Sequence, residues 1–144
     1  MRNGDETVAG DARYRGRLPI AQRLRGTVHA FIIEDDYLIA QSLADLLEEL
    51  GYKTFSFARS EDTAVMGARA QPIDLITADV RLLPGDGLDA VQKICEQREI
   101  PVVFITGYAD ELIERSPDAV VVQKPIDPQD LRNAIQRVTR IKAN

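Results

Sequence analysis

From Val28 onward, short apolar runs alternate with stretches whose apolar residues recur at helical spacing. Val28–Ile33 is a nearly continuous apolar run, which suits a strand buried on both faces. Tyr37–Leu50 places Leu38, Ile39, Leu43, Leu46, Leu47 and Leu50 along one helical stripe, and Gly51 stands where a left-handed residue would end the helix. Tyr52–Phe57 reads as a second strand. Ser60 is a candidate N-cap, with Thr63 in place of the usual glutamate, for a helix to Ala70 that Pro72 stops. Ile73–Ala78 is the third strand, and Asp79–Gly87 is a loop rich in Gly, Pro and Asp. Leu88–Gln97 follows as a helix with Leu88, Val91, Ile94 and Cys95 on one side. Pro101–Ile105 is a strand opening on proline, as strands allow. Ala109–Arg115 predicts a short helix stopped before Pro117, and Ala119–Val122 a fifth strand. Asp127 and Pro128 fit the N-cap and first position of a last helix reaching about Ile141, with Leu131, Ile135 and Val138 on its apolar side.

Strictly alternating strands and helices predict an α/β fold, a parallel sheet with helices on both faces and right-handed crossovers. Ligands of such sheets bind at the carboxyl ends of the strands. Residues that do chemistry should therefore stand just after the predicted strands.

Bulk composition narrows the reading. The 144 residues suit one domain, and 44% hydrophobic with 28% charged residues is ordinary for a globular chain. The single cysteine, Cys95, allows no internal disulfide. No apolar run approaches the ~20 residues of a membrane span, and the N-terminus lacks a secretion signal's apolar core. A cytoplasmic protein without membrane contact is expected. Residues 1–26 hold six arginines against three acids, a balance of +3, so the rest carries −8 of the total −5. That segment shows no sustained periodicity and reads as a disordered arm, with residues 27–144 as the folded domain. An acidic body argues against nucleic-acid binding, which needs a basic surface.

The strand ends carry a set of reactive groups. Glu34, Asp35 and Asp36 follow the first strand, Asp79 the third, Thr106 the fourth and Lys124 the fifth. Clustered acids raise one another's pKa unless a cation neutralises them. Mg²⁺ suits a few carboxylate oxygens and keeps several waters. With such an ion bound, one carboxylate can stay ionised and act as a nucleophile. Lys124 can offset the charge of a transferred phosphoryl group, and the Thr106 hydroxyl can hydrogen-bond it.

FIIEDD at 31–36, DLITADVRLLPGDG at 74–87, FITG at 104–107 and QKP at 123–125 resemble the receiver domains of two-component response regulators. The resemblance covers about residues 28–141. It implies a flavodoxin-like, doubly wound sheet of strand order 2-1-3-4-5. Asp79 then corresponds to the phosphoacceptor, Asp35 to the direct Mg²⁺ ligand and Glu34 to the acid that reaches the metal through water. The backbone carbonyl of Arg81 corresponds to a further ligand, Thr106 and Lys124 to the groups that hold the phosphoryl, and Pro125 to a cis proline. A sensor histidine kinase or phosphotransfer protein is implied as donor. Asp36 fits a helix-capping acid better than a ligand.

Some positions depart from the family pattern. The switch aromatic, three residues before the lysine, is here Val121, which has no ring to turn inward. The interval from Thr106 to Val121 is short, so a stunted fourth helix is expected. Pro84 lies five residues after Asp79, where four is commoner. Phe104-Ile105-Thr106-Gly107-Tyr108 is similar to the "FATGUY" receiver subgroup, which implies kinases of the HWE class. Arg81 and Tyr108 stand where the family tunes dephosphorylation, though solvated side chains explain them as readily. His29 fits a strand start and Cys95 core packing. The PGDG turn at 84–87 lacks the Lys-Ser/Thr of a phosphate-binding loop.

Three functions are compatible with these residues. One is a single-domain phosphoacceptor that catalyses its own phosphotransfer, is no conventional enzyme, and acts through a partner or as a phosphate sink. Another is a phosphorylation-independent adaptor, to which Val121 lends support. The last, an aspartyl-phosphate phosphohydrolase, expects a second acid where Arg81 stands.

Overall fold

The computed structural model describes residues 28–143, the last four as backbone only. The arginine-rich arm expected over 1–26 lies outside the described residues. Among the described residues, five strands, β1 (His29–Ile33), β2 (Thr54–Ala58), β3 (Leu75–Ala78), β4 (Val102–Thr106) and β5 (Val121–Gln123), alternate with five helices. The helices are α1 (Tyr37–Glu49), α2 (Glu61–Ala68), α3 (Gly87–Cys95), α4 (Ala109–Arg115) and α5 (Pro128–Ala143). All strand pairs are parallel, in the order β2-β1-β3-β4-β5. This is the expected doubly wound α/β architecture.

Each strand sends alternate residues to opposite faces, as its two-residue period requires. Phe31, Ile33, Ile76, Ala78 and Phe104 pack with Ala64 and Ala68 of α2, with Leu88, Val91 and Ile94 of α3, and with Leu112 of α4. Ala30, Ile32, Leu75, Val103, Ile105 and Val122 pack with Leu43 and Leu47 of α1, and with Leu131, Ile135 and Val138 of α5. Burial on both faces explains the unbroken apolar runs.

The ends differ by a residue or two from the sequence reading. Tyr52 and Ile73 are buried but lie outside the strands. Thr106 and Gln123, both polar, belong to the β4–β5 ladder and pair with each other. α2 stops at Ala68, two residues earlier than expected. Local capping follows the sequence. Asp36 Oδ1 accepts from the Leu38 and Ile39 N–H groups, and Asp127 Oδ1 from those of Gln129 and Asp130. Ser60 and Thr63 cap each other reciprocally, the threonine hydroxyl doing what glutamate does in the usual capping box. Gly51 has φ +110°, the left-handed turn expected of it.

Candidate functional site

Backbone hydrogen bonds carry the parallel ladder past the strands and fix the chain that follows. Glu34 N–H donates to Ala58 O at 2.9 Å, Asp79 N–H to Ile33 O at 2.9 Å, and Lys124 N–H to Thr106 O at 3.0 Å. These bonds bring Glu34, Asp79, Thr106 and Lys124 to one end of the sheet. The residues after Lys124 and Leu83 are cis prolines, Pro125 and Pro84, the first as the resemblance implied.

Carboxylate oxygens of Glu34, Asp35 and Asp79 lie within 4.8 Å of one another. Glu34 and Asp79 are buried, and Thr106 is wholly so. Lys124 Nζ donates to Asp79 Oδ2 at 2.7 Å and lies 3.1 Å from Glu34 Oε1. The second contact is an ion pair without hydrogen-bond alignment, which leaves the buried Glu34 Oε1 without a hydrogen-bond partner. Glu34 Oε2 accepts from the Asp36 N–H at 3.1 Å.

The electrostatics follow from this crowding. Burial pushes the Glu34 carboxyl above the usual carboxylate range, more than the Asp36 N–H and Lys124 pull it down. Burial works to lower the pKa of Lys124, but the close contacts and negative charges of Asp79 and Glu34 outweigh it and hold the ammonium above the usual lysine range. Lys124 is therefore a cation at neutral pH, shared by two acids.

This donor set fits a hard divalent cation. All three acidic side chains offer oxygen, and the Glu34 oxygen lacks a hydrogen-bond donor. The Arg81 N–H donates to Asp79 Oδ1 at 3.3 Å, so that peptide borders the acids. Arg81 also pairs with Asp86 in an isolated bridge, but the bonds there use Val80 O and Leu82 N–H rather than the Arg81 carbonyl. Asp36 belongs to the α1 cap, as expected.

The structure also brings together residues that no local pattern links. The Arg81 guanidinium lies over the Tyr108 ring, 3.6 Å from its centroid, and donates to Glu111 Oε1 at 2.8 Å. The Tyr108 N–H donates to Thr106 Oγ1 at 3.1 Å. Arg115 donates to Asp86 Oδ2 at 2.7 Å, and Asp86 is the N-cap of α3. Arg81 and Tyr108 were flagged singly in the sequence, whereas Glu111, Arg115 and Asp86 were not. The nearest signal was the run of charges in the short α4.

A model of the response regulator receiver domain matches residues 30–136. The chain belongs to the response regulator receiver family. It is 37% identical over 110 residues to the phyllosphere-induced regulator PhyR of Methylorubrum extorquens, covering 74% of this chain and 41% of that protein. It is 36% identical over 109 residues to the transcriptional regulatory protein PdtaR of Mycobacterium tuberculosis, covering 73% of this chain and 53% of that one. The chain thus spans about half the length of these relatives. A solution structure of the receiver domain of Erythrobacter litoralis PhyR superposes with a TM-score of 0.72 at 30% identity, covering 78% of this chain and 89% of that one. Receiver domains of two-component systems bind Mg²⁺ at an acidic site, and the acids here are compatible with that. Among the described residues, no helix is long and apolar enough to cross a membrane.

Proposed function

We propose that this receiver accepts a phosphoryl group on Asp79, with Mg²⁺ at the acidic cluster and a histidine kinase or phosphotransfer protein as donor in the cytoplasm. The observation that carries the reading is Lys124 Nζ at 2.7 Å from Asp79 Oδ2, beside Glu34 and Asp35. An Asp79 oxygen attacks phosphorus. The bond from phosphorus to the donor's nitrogen or oxygen breaks, and its electron pair leaves with the donor. Lys124, already a cation, turns from the carboxylate to a phosphoryl oxygen without gaining or losing a proton. Thr106, whose oxygen accepts from the Tyr108 N–H, donates its hydroxyl to another. Glu34 and Asp35 would hold the metal with Asp79 and the Arg81 carbonyl, and bound Mg²⁺ would neutralise the acids and the incoming phosphoryl charge. Phe104–Tyr108 together with Val121 supports the FATGUY subgroup, and with it a kinase of the HWE class. Output would come through a protein partner or by draining phosphate from a kinase. Val121 also favours a second reading, a receiver-fold adaptor that works without phosphorylation.

The test is intact mass after incubation with Mg²⁺ and acetyl phosphate. A gain of one phosphoryl group, absent in Asp79→Asn and with chelator, is expected. No gain with acetyl phosphate or candidate kinases would leave the adaptor reading.

A further inference from the structure

α4 is weakly anchored by its own apolar residues. Leu112 is its one buried side chain, and Val121 beneath it offers no ring to rearrange. Two arginines supply the rest. Arg81, in the loop after β3, reaches Glu111 in the first turn of α4. Arg115, in the last turn of α4, reaches back to Asp86 in the same loop. An element with few buried contacts and exposed ion pairs is the kind that opens locally.

The first of these clasps is joined to the proposed site at both sides. The Arg81 N–H donates to Asp79 Oδ1, and the ring under its guanidinium belongs to Tyr108, whose N–H donates to the Thr106 hydroxyl. Asp79, which would carry the phosphoryl, and Thr106, one of the groups that would contact it, are therefore each one hydrogen bond from the residues of this stack. Asp79 is also among the charges that act on the Arg81 guanidinium.

We infer that the Arg81–Tyr108–Glu111 clasp couples phosphorylation to α4 in place of a switch aromatic, the phosphoryl group drawing Arg81 off Glu111 and freeing the first turn of that helix. The inference rests on the phosphoacceptor reading. A phosphoryl group brings about −1.5 to −2 of charge and strong acceptor oxygens. Glu111 offers one carboxylate, 39% exposed and screened by water. The guanidinium fork is better matched by the phosphoryl. The Thr106 hydroxyl can donate to the phosphoryl while its oxygen accepts from the Tyr108 N–H, which ties the ring's own residue to the phosphoryl. Linkage makes the coupling reciprocal, so removing the competing Glu111 carboxylate favours the phosphorylated state.

The test reads amide hydrogen exchange of residues 109–115 in the full chain, with and without Mg²⁺ and beryllofluoride as the phosphoryl mimic. Wild type should exchange several-fold faster with the mimic bound. Glu111→Gln should exchange fast beforehand and gain little. Arg81→Ala and the double variant should match it, because all three cut one contact. Arg115→Gln, which cuts the other clasp, should keep its response to the mimic. Phosphoryl gain on Asp79 with unchanged α4 exchange overturns the clasp and leaves the acceptor reading standing. Absence of phosphoryl gain overturns both.

Discussion

Gly87 faces the carbonyl oxygen of Asp79 so closely that a β-carbon on it would stand 1.7 Å from that oxygen. Gly87 is the first residue of α3, and its N–H donates to Val80 O at 2.6 Å. The start of α3 therefore packs directly on the peptide that carries the candidate acceptor. Only a residue without a β-carbon allows this approach.

Gly87→Ala should move that peptide, because the obstacle is backbone and cannot rotate away. Overpacking of this kind costs about 1–3 kcal/mol, and the upper end applies here. Urea unfolding should show the lower midpoint, and phosphoryl gain from acetyl phosphate should slow at least ten-fold. An unchanged midpoint would mean that the contact relaxes freely.

Asp86 ties α3 to α4 and should make stability depend on acid. Its Oδ1 accepts from the Asp89 N–H at 2.9 Å, and Arg115 donates to both of its oxygens. Burial raises the Asp86 pKa, but Arg115 and the helix N–H groups outweigh it and hold the carboxyl below its ordinary 3.8. A depressed carboxyl binds its proton more weakly folded than unfolded. Its stabilisation is complete above that ordinary value and is lost as pH falls through the lower folded value. Asp86→Ala should cost about 0.5–2 kcal/mol at neutral pH. The gap to wild type should close in stronger acid, read by urea titration at each pH. A gap independent of pH would show that the cap works without its charge.

Arg98 supplies a cap from a distance. Its guanidinium donates to Gln71 O at 2.9 Å and to Ala68 O at the end of α2. Helix ends leave carbonyls without partners, and a planar fork satisfies two at once. Arg98→Ala should cost about 1.5–3 kcal/mol, the range for hydrogen bonds to a charged group. Arg98→Lys should recover only part of the loss, since an ammonium cannot span both oxygens. Thermal melting of the three proteins checks the order.

The sheet and the acidic cluster were legible because both follow from periodicity along the chain. Strands buried on both faces must be continuously apolar, and the residue after each strand must lie at the sheet's end. Glu34, Asp79, Thr106 and Lys124 were found that way. The strand limits were less legible. Tyr52 is apolar because it packs against a helix layer, while Thr106 is polar although it pairs in the ladder. The ties between Arg81 and Glu111, and between Arg98 and Ala68, join residues thirty positions apart. Nothing in either segment marks its partner, because each arginine alone reads as a solvated surface residue. Gly87 did carry a mark, a glycine beside a helix start, but turn chemistry explains that as well as close packing does.

Lys124 separates metal binding from phosphoryl transfer. Its ammonium sits between Asp79 and Glu34, where it neutralises the acids when no divalent ion does. It also repels an incoming cation. Lys124→Gln removes both effects. Without Mg²⁺ the acids lose their counter-charge, and breaking such a pair costs about 3 kcal/mol when it is largely buried. The thermal midpoint should fall accordingly and recover as Mg²⁺ is added. Mg²⁺ should bind several-fold more tightly than to wild type, because the competing ammonium is gone. Phosphoryl gain should nevertheless drop at least ten-fold, because the variant has no cation to meet the transferred oxygens. Calorimetric titration with Mg²⁺, run beside intact mass with acetyl phosphate, reads the two changes separately. Weaker Mg²⁺ binding in Lys124→Gln would show that the lysine shapes the acid cluster rather than competing for it.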